Sequence, residues 1–201
     1  MATASDAREQ RPLRRYSNVA VAFHWIVGVL VLFQIWLGLS FADLPQGPHR
    51  GELFTWHKTV GAAILLLALA RLTYRLMNPP PPFPPELPAW ERVTAVWSHR
   101  LLYLLLIGLP IGGLIAVSGH TTGSTTTLLG GIPFPVIPGV SKSVGETAGE
   151  IHSALAWALI ALLVLHVAAA LKQQFIDRPG RAAGRMPPFR PRTHEEIVTD
   201  R

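Results

Sequence analysis

The chain alternates between long apolar runs and short polar or proline-rich segments. Apolar runs of this length are typical of helices that cross a membrane, because a helix needs about 20 apolar residues to span the hydrocarbon core. The pattern therefore predicts an all-α fold, an integral membrane four-helix bundle. Its spans are predicted at about residues 19–41, 53–76, 97–118 and 148–175.

The second run is the weakest of the four, because only residues 59–70 separate Lys58 from Arg71. An apolar run that short is more often a buried helix of a soluble core. Lys58, Arg71 and Arg75 nevertheless have long side chains, whose charged ends can reach the membrane surfaces while the helix itself crosses. We therefore predict that this run also spans the membrane.

The fourth run carries two histidines, His152 and His166, and residues 151–171 include no charged side chain. The helical repeat brings the two imidazoles to within about 40° of the same face, at depths about 21 Å apart. A polar side chain inside a membrane is often satisfied by a hydrogen bond to a neighbouring helix. Two histidines in register at opposite depths instead favour a nitrogen ligand near each membrane surface.

The composition agrees with a single membrane domain, since 49% of the 201 residues are hydrophobic and the mean hydropathy is +0.32. The uncharged stretch from Tyr16 to Ala42 exceeds the apolar core of a signal peptide, so we predict that it is retained as a span. The sequence has no cysteine, which excludes disulfides, iron–sulfur clusters, c-type haem attachment and thiol catalysis. Any metal chemistry therefore falls to histidine.

The basic residues set the predicted orientation. The formal net charge of +6 could indicate nucleic-acid binding. The Lys and Arg residues lie between the apolar runs rather than along one polar face, however, so nucleic acid is not a predicted partner. Of the 18 Lys and Arg residues, all but three lie in one of three regions. These regions are the N-terminal arm, the segment that joins the second and third runs together with the adjoining helix ends, and the C-terminal tail. The exceptions are Arg50, Lys58 and Lys142. Because basic loops stay in the cytoplasm, both termini are predicted to be cytoplasmic.

Three regions follow from this pattern. Residues 1–15 are polar and basic and are predicted to form a disordered cytoplasmic arm. Residues 16–178 form the predicted four-helix domain, and residues 179–201 form a basic, proline-rich cytoplasmic tail.

The longest connection between runs, Gly119 to Gly145, is rich in Gly, Thr and Pro. A loop of this length is predicted to be either a simple cover over the bundle or a functional lid. The fourth helix that follows it is predicted to open with a capping box formed by Thr147 and Glu150.

Alternating topology places four histidines at two depths. His24 and His166 lie near the predicted cytoplasmic ends of their runs, and His57 and His152 lie near the periplasmic ends. Two imidazoles that face each other inside an apolar bundle are what a bis-histidine haem b requires, so we predict two such sites. Zinc prefers three or four ligands at one point, and a proton relay needs intramembrane carboxylates. Both alternatives fit the pattern less well than haem, but they stay open.

Each of the four histidines is followed one helical turn later by a small residue, which would leave room for a flat macrocycle. These residues are Gly28, Gly61, Ala156 and Ala170. His99 differs because Tyr103 takes the equivalent position, and we predict that His99 is a hydrogen-bond partner for a propionate or a quinone, or a packing residue. Arg71 and Arg75 lie one turn apart and are predicted to bind haem propionates or a quinone head group, or simply to reach the membrane surface.

The chain from Arg15 to Pro188 resembles the prokaryotic cytochrome b561 family. The matching stretches are RYSNVAVAFHW (Arg15 to Trp25), WHKTVG (Trp56 to Gly61), ARLTYRLMNPPPP (Ala70 to Pro82), SHRLLYLLLIGLPIGG (Ser98 to Gly113), and the pair His152 and His166 followed by HVAAALKQQF. The resemblance implies a four-helix cytochrome of the bacterial inner membrane that binds two haem b. It also implies that the haem iron atoms are ligated by the pairs His24/His166 and His57/His152.

The resemblance further implies electron transfer involving ubiquinone, and some family members are superoxide oxidases that pass an electron from periplasmic superoxide to quinone. Lys58 would then attract the anion, and His99 would serve the quinone, so these two are the candidate catalytic residues. The predicted partners are the lipid bilayer, ubiquinone, and a small periplasmic electron donor or redox protein. The alternative function is a haem-b anchor that conducts electrons for a periplasmic dehydrogenase or reductase without being catalytic alone.

Overall fold

The structure, a computed structural model, describes residues 16–83 and 87–177. Within these ranges four long helices follow one another, and a short hairpin separates the third from the fourth. The helices are α1 (Asn18–Ala42), α2 (Pro48–Met77), α3 (Ala89–His120) and α4 (Lys142–Lys172), and a π-helical turn (Gln173–Asp177) continues α4. The predicted arm (residues 1–15) and the predicted tail (residues 179–201) lie outside the described residues.

The four predicted spans are confirmed as helices that are long and apolar enough to cross a membrane. Many of their large apolar side chains point away from the bundle. Leu66, Leu104 and Val164, for example, are 68%, 66% and 62% exposed. An apolar outer surface of this extent is what contact with lipid requires, so the fold is the predicted all-α membrane bundle.

Two of the helices begin earlier than the sequence pattern predicts. α2 begins at Pro48 rather than near residue 53, and α3 begins at Ala89, directly after Pro88, rather than near residue 97. Pro48 suits the first position of α2, because its fixed φ is already helical and its missing N–H would have no partner there, whereas Pro88 precedes α3 as its N-cap. The polar turns before both helices, which interrupt the apolar pattern, are therefore helical as well.

α4 also begins earlier, at Lys142 rather than near residue 148. Its N-cap is Ser141, whose side-chain oxygen accepts a hydrogen bond from the backbone N–H of Val144. A serine in this position satisfies one of the donors that the first helical turn leaves without a partner. The capping box predicted at Thr147 and Glu150 is therefore wrong, since both residues lie inside the helix.

The helices pack in chain order, each antiparallel to the next: α1 against α2, α2 against α3, and α3 against α4. A narrow apolar core runs along these contacts and includes Val27, Val31, Leu37, Val60, Ile64, Ala68, Leu106, Leu109 and Leu159. In the described part of the chain, α4 does not pack closely against α1 or α2. The four predicted ligands face each other across these wider gaps.

Contacts at the two ends of the bundle hold this arrangement. We call the end that carries both ends of the described chain the inner end, and the opposite end the outer end. At the inner end the hydroxyls of Ser17 and Tyr74 lie 2.9 Å apart, and the ammonium of Lys172 lies 3.6 Å from a carboxylate oxygen of Glu91. That the inner end faces the cytoplasm stays a prediction from the charge pattern.

The tightest helix crossing lies at the outer end, where α3 meets α4. A Cβ atom on Gly119 would lie 2.7 Å from Cα of Gly145 and 2.8 Å from the carbonyl oxygen of Ser141. A Cβ atom on Gly145 would likewise lie 2.8 Å from Cα of Gly119. Backbone atoms at these distances cannot rotate away, so the crossing requires glycine at both positions.

A small hairpin covers the outer end. Its strands are β1 (Thr125–Thr127) and β2 (Pro133–Pro135), which pair antiparallel. Between them Gly130 and Gly131 have φ values of 74° and 76°, in the left-handed region that glycine enters without steric cost. The connection predicted as one long loop is therefore shorter than expected and partly structured.

Side-chain hydrogen bonds tie the hairpin to α2. The Lys58 ammonium donates to the Thr126 hydroxyl oxygen at 2.8 Å, and the backbone N–H of Leu129 donates to the Thr59 hydroxyl oxygen at 2.9 Å. In the segment after β2, the backbone N–H of Ile137 donates a hydrogen bond to the hydroxyl oxygen of Ser118 on α3 at 3.0 Å. The hairpin is thus held over the outer end as a cover, as one of the two sequence interpretations expected.

Candidate functional site

His57 of α2 and His152 of α4 face each other near the outer end, with ring centroids 6.1 Å apart. The Nδ1 atom of His152 lies 2.9 Å from the carbonyl oxygen of Leu109. Because a carbonyl oxygen can only accept, Nδ1 carries the proton in this contact. The Nε2 atom of His152 therefore keeps its lone pair, which is the state that a metal ligand needs.

The spacing of this outer pair fits a single metal ion between the rings. A metal–imidazole bond is about 2.0 Å, so two rings on opposite sides of one ion have centroids roughly 6 Å apart. In the described residues no group of three or more His, Cys, Asp or Glu side chains is placed to hold a metal. Two protein ligands suit haem, whose macrocycle supplies the other ligands of the iron, better than they suit zinc.

A cavity of about 660 Å³ adjoins the outer pair. Cofactor pockets have volumes of roughly 300–1,000 Å³. Two glycines give the rings room, since a Cβ atom on Gly38 or Gly113 would lie 3.3 Å from Cε1 of His57 or His152, respectively. These glycines lie on the neighbouring helices α1 and α3, whereas the small residues predicted to make room lie one turn further along each ligand's own helix. The outer site therefore fits haem in ligand spacing, in the tautomer of His152 and in cavity volume.

His24 of α1 and His166 of α4 form the corresponding pair near the inner end, with ring centroids 6.3 Å apart. A nitrogen of the Arg71 guanidinium lies 3.0 Å from Nδ1 of His24. Because guanidinium only donates, Nδ1 is the acceptor here and the proton of His24 lies on Nε2. His24 can therefore either accept this hydrogen bond at Nδ1 or bind a metal through Nε2, but it cannot do both at once.

The cavity at the inner pair measures about 70 Å³, well below the outer one. Its lining includes Arg71, His99 and Tyr103 beside the two paired histidines. The inner pair thus fits a metal ion by spacing, but a macrocycle fits there only when these larger side chains move aside.

His99 lies beside the inner pair. Its ring centroid is 5.3 Å from that of His166, and its Nδ1 donates to the backbone carbonyl of Ala95 at 2.6 Å. The second nitrogen of His99 is therefore left as an acceptor beside the inner cavity. Its predicted role as a partner for a propionate or a quinone stays a prediction.

The two predicted arginines share one aromatic partner. The guanidinium carbons of Arg71 and Arg75 lie 5.4 Å and 5.9 Å from the ring centroid of Tyr103, within the range of cation–π contact. Arg71 also lines the inner cavity, so its charge points into the bundle rather than to the membrane surface. Anion or quinone binding by these arginines stays a prediction.

Lys58 lines the outer cavity, where its ammonium lies 5.3 Å from the ring centroid of Phe54 in addition to its bond to the hairpin. Arg50 lines the same cavity, and its Nε donates to the carbonyl of Phe41 at 3.3 Å. Lys142, in contrast, is 75% exposed and pairs with a glutamate of its own helix. Two basic side chains therefore adjoin the outer pair, and Lys58 is the one predicted from the sequence as a site residue.

Two residues of the outer site escaped the sequence analysis. Arg50 was used only to predict orientation, although it lies about two helical turns before His57 and thus on the same face of the helix. Gln34 lies in the middle of α1, and its side-chain nitrogen donates to the backbone carbonyl of His57 at 3.0 Å. An uncharged polar residue inside an apolar run was the available signal, since such residues seldom face lipid.

Comparison with known proteins adds to this geometry. A family model described as prokaryotic cytochrome b561 matches residues 15–187. The chain is 29% identical over 167 residues to cytochrome b561 homolog 2 of Escherichia coli strain K12, covering 82% of this chain and 87% of that protein. It is 27% identical over 174 residues to the probable superoxide oxidase CybB of Yersinia pestis (87% and 97% covered), and 27% identical over 180 residues to cytochrome b561 homolog 1 of Escherichia coli strain K12 (87% and 98% covered). Because the family match extends over all four membrane helices, the chain belongs to the prokaryotic cytochrome b561 family and is a multi-pass bacterial inner-membrane protein that binds haem b and transfers electrons.

Proposed function

We propose that this protein carries single electrons between a periplasmic donor, superoxide in the first instance, and ubiquinone, using two haem b groups. The observation that supports the proposal is the presence of two opposed imidazole pairs, with ring centroids 6.1 Å and 6.3 Å apart, at the two ends of one apolar bundle. A redox centre near each membrane surface allows the donor and the acceptor to react on opposite sides.

In this proposal His57 and His152 hold the outer haem, and His24 and His166 hold the inner one. Haem b supplies a one-electron couple at its iron. The protein positions the ligands and keeps water away from them. The carbonyl of Leu109 fixes the tautomer and orientation of His152, and apolar helices surround both pairs.

The basic side chains of the outer cavity support an anionic donor. Lys58 and Arg50 line this cavity, and positive charge at an opening raises the local concentration of a small anion. The bond from Lys58 to Thr126 holds that charge beneath the hairpin. Each superoxide that gives up one electron leaves as O₂, and two electrons with two protons convert ubiquinone to ubiquinol.

The inner end offers donors for the quinone. The carbonyl oxygens of a quinone need N–H or O–H donors, and Arg71, Arg75 and His99 lie within one cluster around Tyr103 and the inner pair. Arg71 is already aimed at this pair through its bond to His24. We therefore assign ubiquinone to the inner end of the bundle.

The proposal is tested by mixing the purified, haem-loaded protein with superoxide and ubiquinone and following haem absorbance in a stopped-flow instrument. We expect reduction by superoxide and reoxidation by ubiquinone. Lys58→Gln should lower the rate with superoxide about tenfold at low ionic strength and flatten its salt dependence. Lys142→Gln is the matched control and should change the rate less than about twofold, because that lysine is exposed and paired.

Equal effects of the two lysine substitutions would remove the assignment of the donor site. A wild-type protein that accepts no electrons from superoxide, but accepts them from a periplasmic dehydrogenase, would instead support the anchor-and-conduit function.

A further inference from the structure

Two buried polar atoms at the outer pair have no hydrogen-bond partner among the described residues: Nδ1 of His57 and Oε1 of Gln34. Buried polar groups are almost always paired, because leaving one unpaired costs free energy. The two atoms belong to residues that contact each other, since Nε2 of Gln34 donates to the backbone carbonyl of His57 at 3.0 Å. One of the two atoms is an acceptor and the other lies on a ring that can donate.

The orientation of the Gln34 amide follows from its partner. A backbone carbonyl can only accept, so the amide nitrogen must face His57 and the amide oxygen is the group left over. Gly61 makes room for the amide, because a Cβ atom there would lie 3.1 Å from Nε2 of Gln34. Gly38, one turn further along α1, lies against the ring of His57. α1 thus contacts both the backbone and the side chain of this one histidine.

The two histidines of the outer pair differ in their second nitrogen. His152 donates from Nδ1 to the carbonyl of Leu109, whereas Nδ1 of His57 has no such acceptor in the described ranges. A histidine that binds a metal through Nε2 carries its proton on Nδ1, and that proton needs an acceptor. Gln34 and His57 line the same cavity, so the unused amide oxygen is available at this site.

We propose that Gln34 is the positioning residue of the outer ligand His57, and that its Oε1 accepts the Nδ1 proton when His57 ligates iron, directly or through one bound water. This inference rests on the proposed haem site. The acceptor holds the ring in its ligating orientation and makes the imidazole more electron-rich, which stabilises the oxidised iron. Removing the acceptor should therefore favour the reduced form of the outer haem.

The test is a redox titration of both haems in the full-length, haem-loaded protein, with the wild type compared with Gln34→Leu. Leucine is similar in size to glutamine but offers no acceptor. We expect the equilibrium of the outer haem to shift about tenfold towards the reduced form, which equals about 59 mV for one electron. The inner haem should keep its potential. Gln46→Leu is the matched control, because Gln46 lines the same cavity but does not form the hydrogen bond to His57 that Gln34 forms. It should move neither potential.

A second variant guards against loss of the outer haem in Gln34→Leu. Gln34→Glu keeps an oxygen acceptor at the same position, so it should retain the outer haem with a potential no higher than that of the wild type. Unchanged potentials in Gln34→Leu, or an equal rise in Gln34→Leu and Gln34→Glu, would overturn the inference. A wild-type protein with fewer than two haems would instead refute the proposed function on which the inference rests.

Discussion

The crossing of α3 and α4 gives the sharpest prediction about stability. Replacing Gly119 by alanine places a methyl group 2.7 Å from Cα of Gly145 and 2.8 Å from the carbonyl oxygen of Ser141. Carbon atoms in ordinary contact lie about 3.5–4.0 Å apart. The two helices must therefore separate by about 1 Å at this point, because both obstacles belong to the backbone.

The size of the effect follows from comparison with a second glycine of α3. Overpacking of this kind costs about 1–3 kcal/mol. A change from glycine to alanine inside a helix otherwise stabilises it by about 0.5–1 kcal/mol. Gly112→Ala is the matched control, since no described atom lies within 4 Å of its added Cβ beyond the immediate helix. Gly119 lies in the last turn of α3, where the helix term favours alanine less than at Gly112, so the two variants should differ by at least the overpacking term.

The assay is thermal unfolding of both purified variants in the same detergent, followed by loss of the native haem spectrum. For a chain of this size about 1 kcal/mol corresponds to roughly 2–4 °C in the midpoint, so a difference of about 2 kcal/mol is expected to appear as 4–8 °C. Gly119→Ala should unfold at the lower temperature. A Gly119→Ala protein that matches or exceeds Gly112→Ala would refute the close backbone contact.

Three further substitutions test separate parts of the structure. In the proposed two-haem arrangement, Gly113→Ala should disturb the outer haem spectrum and leave the inner one unchanged, because its Cβ would lie 3.3 Å from Cε1 of His152. Gly108→Ala on the same helix should leave both spectra unchanged, because no described atom beyond its own helix lies within 4 Å of its added Cβ. Ser118→Ala removes the hydroxyl that accepts a hydrogen bond, at 3.0 Å, from a backbone N–H in the segment after β2. It should lower the free energy of unfolding by about 1 kcal/mol and speed proteolysis of the hairpin. An unchanged cleavage rate would count against that attachment. Arg71→Gln should raise the KM for ubiquinone several-fold more than Arg100→Gln does, because the guanidinium of Arg100 stacks on Trp97. Equal KM values would exclude Arg71 from the quinone site.

Much of the architecture follows from local pattern. The apolar runs predict the first, third and fourth helices, and the long basic side chains at the ends of the shorter second run extend the prediction to α2. Each helix crosses the bilayer with its own residues and satisfies its own backbone. The spacing of His152 and His166 places them on one face of α4, and alternating topology then gives each a partner at its own depth. The structure brings together the same two pairs, His24 with His166 and His57 with His152.

The remaining features depend on contacts between segments that are far apart in sequence. Nothing near Gly119 indicates that Gly145 lies against it, since the approach is set by how α3 crosses α4. The partner of Gln34 is fixed in the same way, by the packing of α1 on α2. The early start of α4 escaped prediction because its first turn is polar and Ser141 gives a weaker signal than an apolar run.

The central claim is that two histidine pairs each hold one haem, and the most direct test is haem content per polypeptide in single His→Ala variants. The wild type and the control His49→Ala, an exposed position, should bind two haems. His57→Ala and His152→Ala should each lose the same spectral component, and His24→Ala and His166→Ala should each lose the other. One haem or none in the wild type, or different components lost within one pair, would contradict the account.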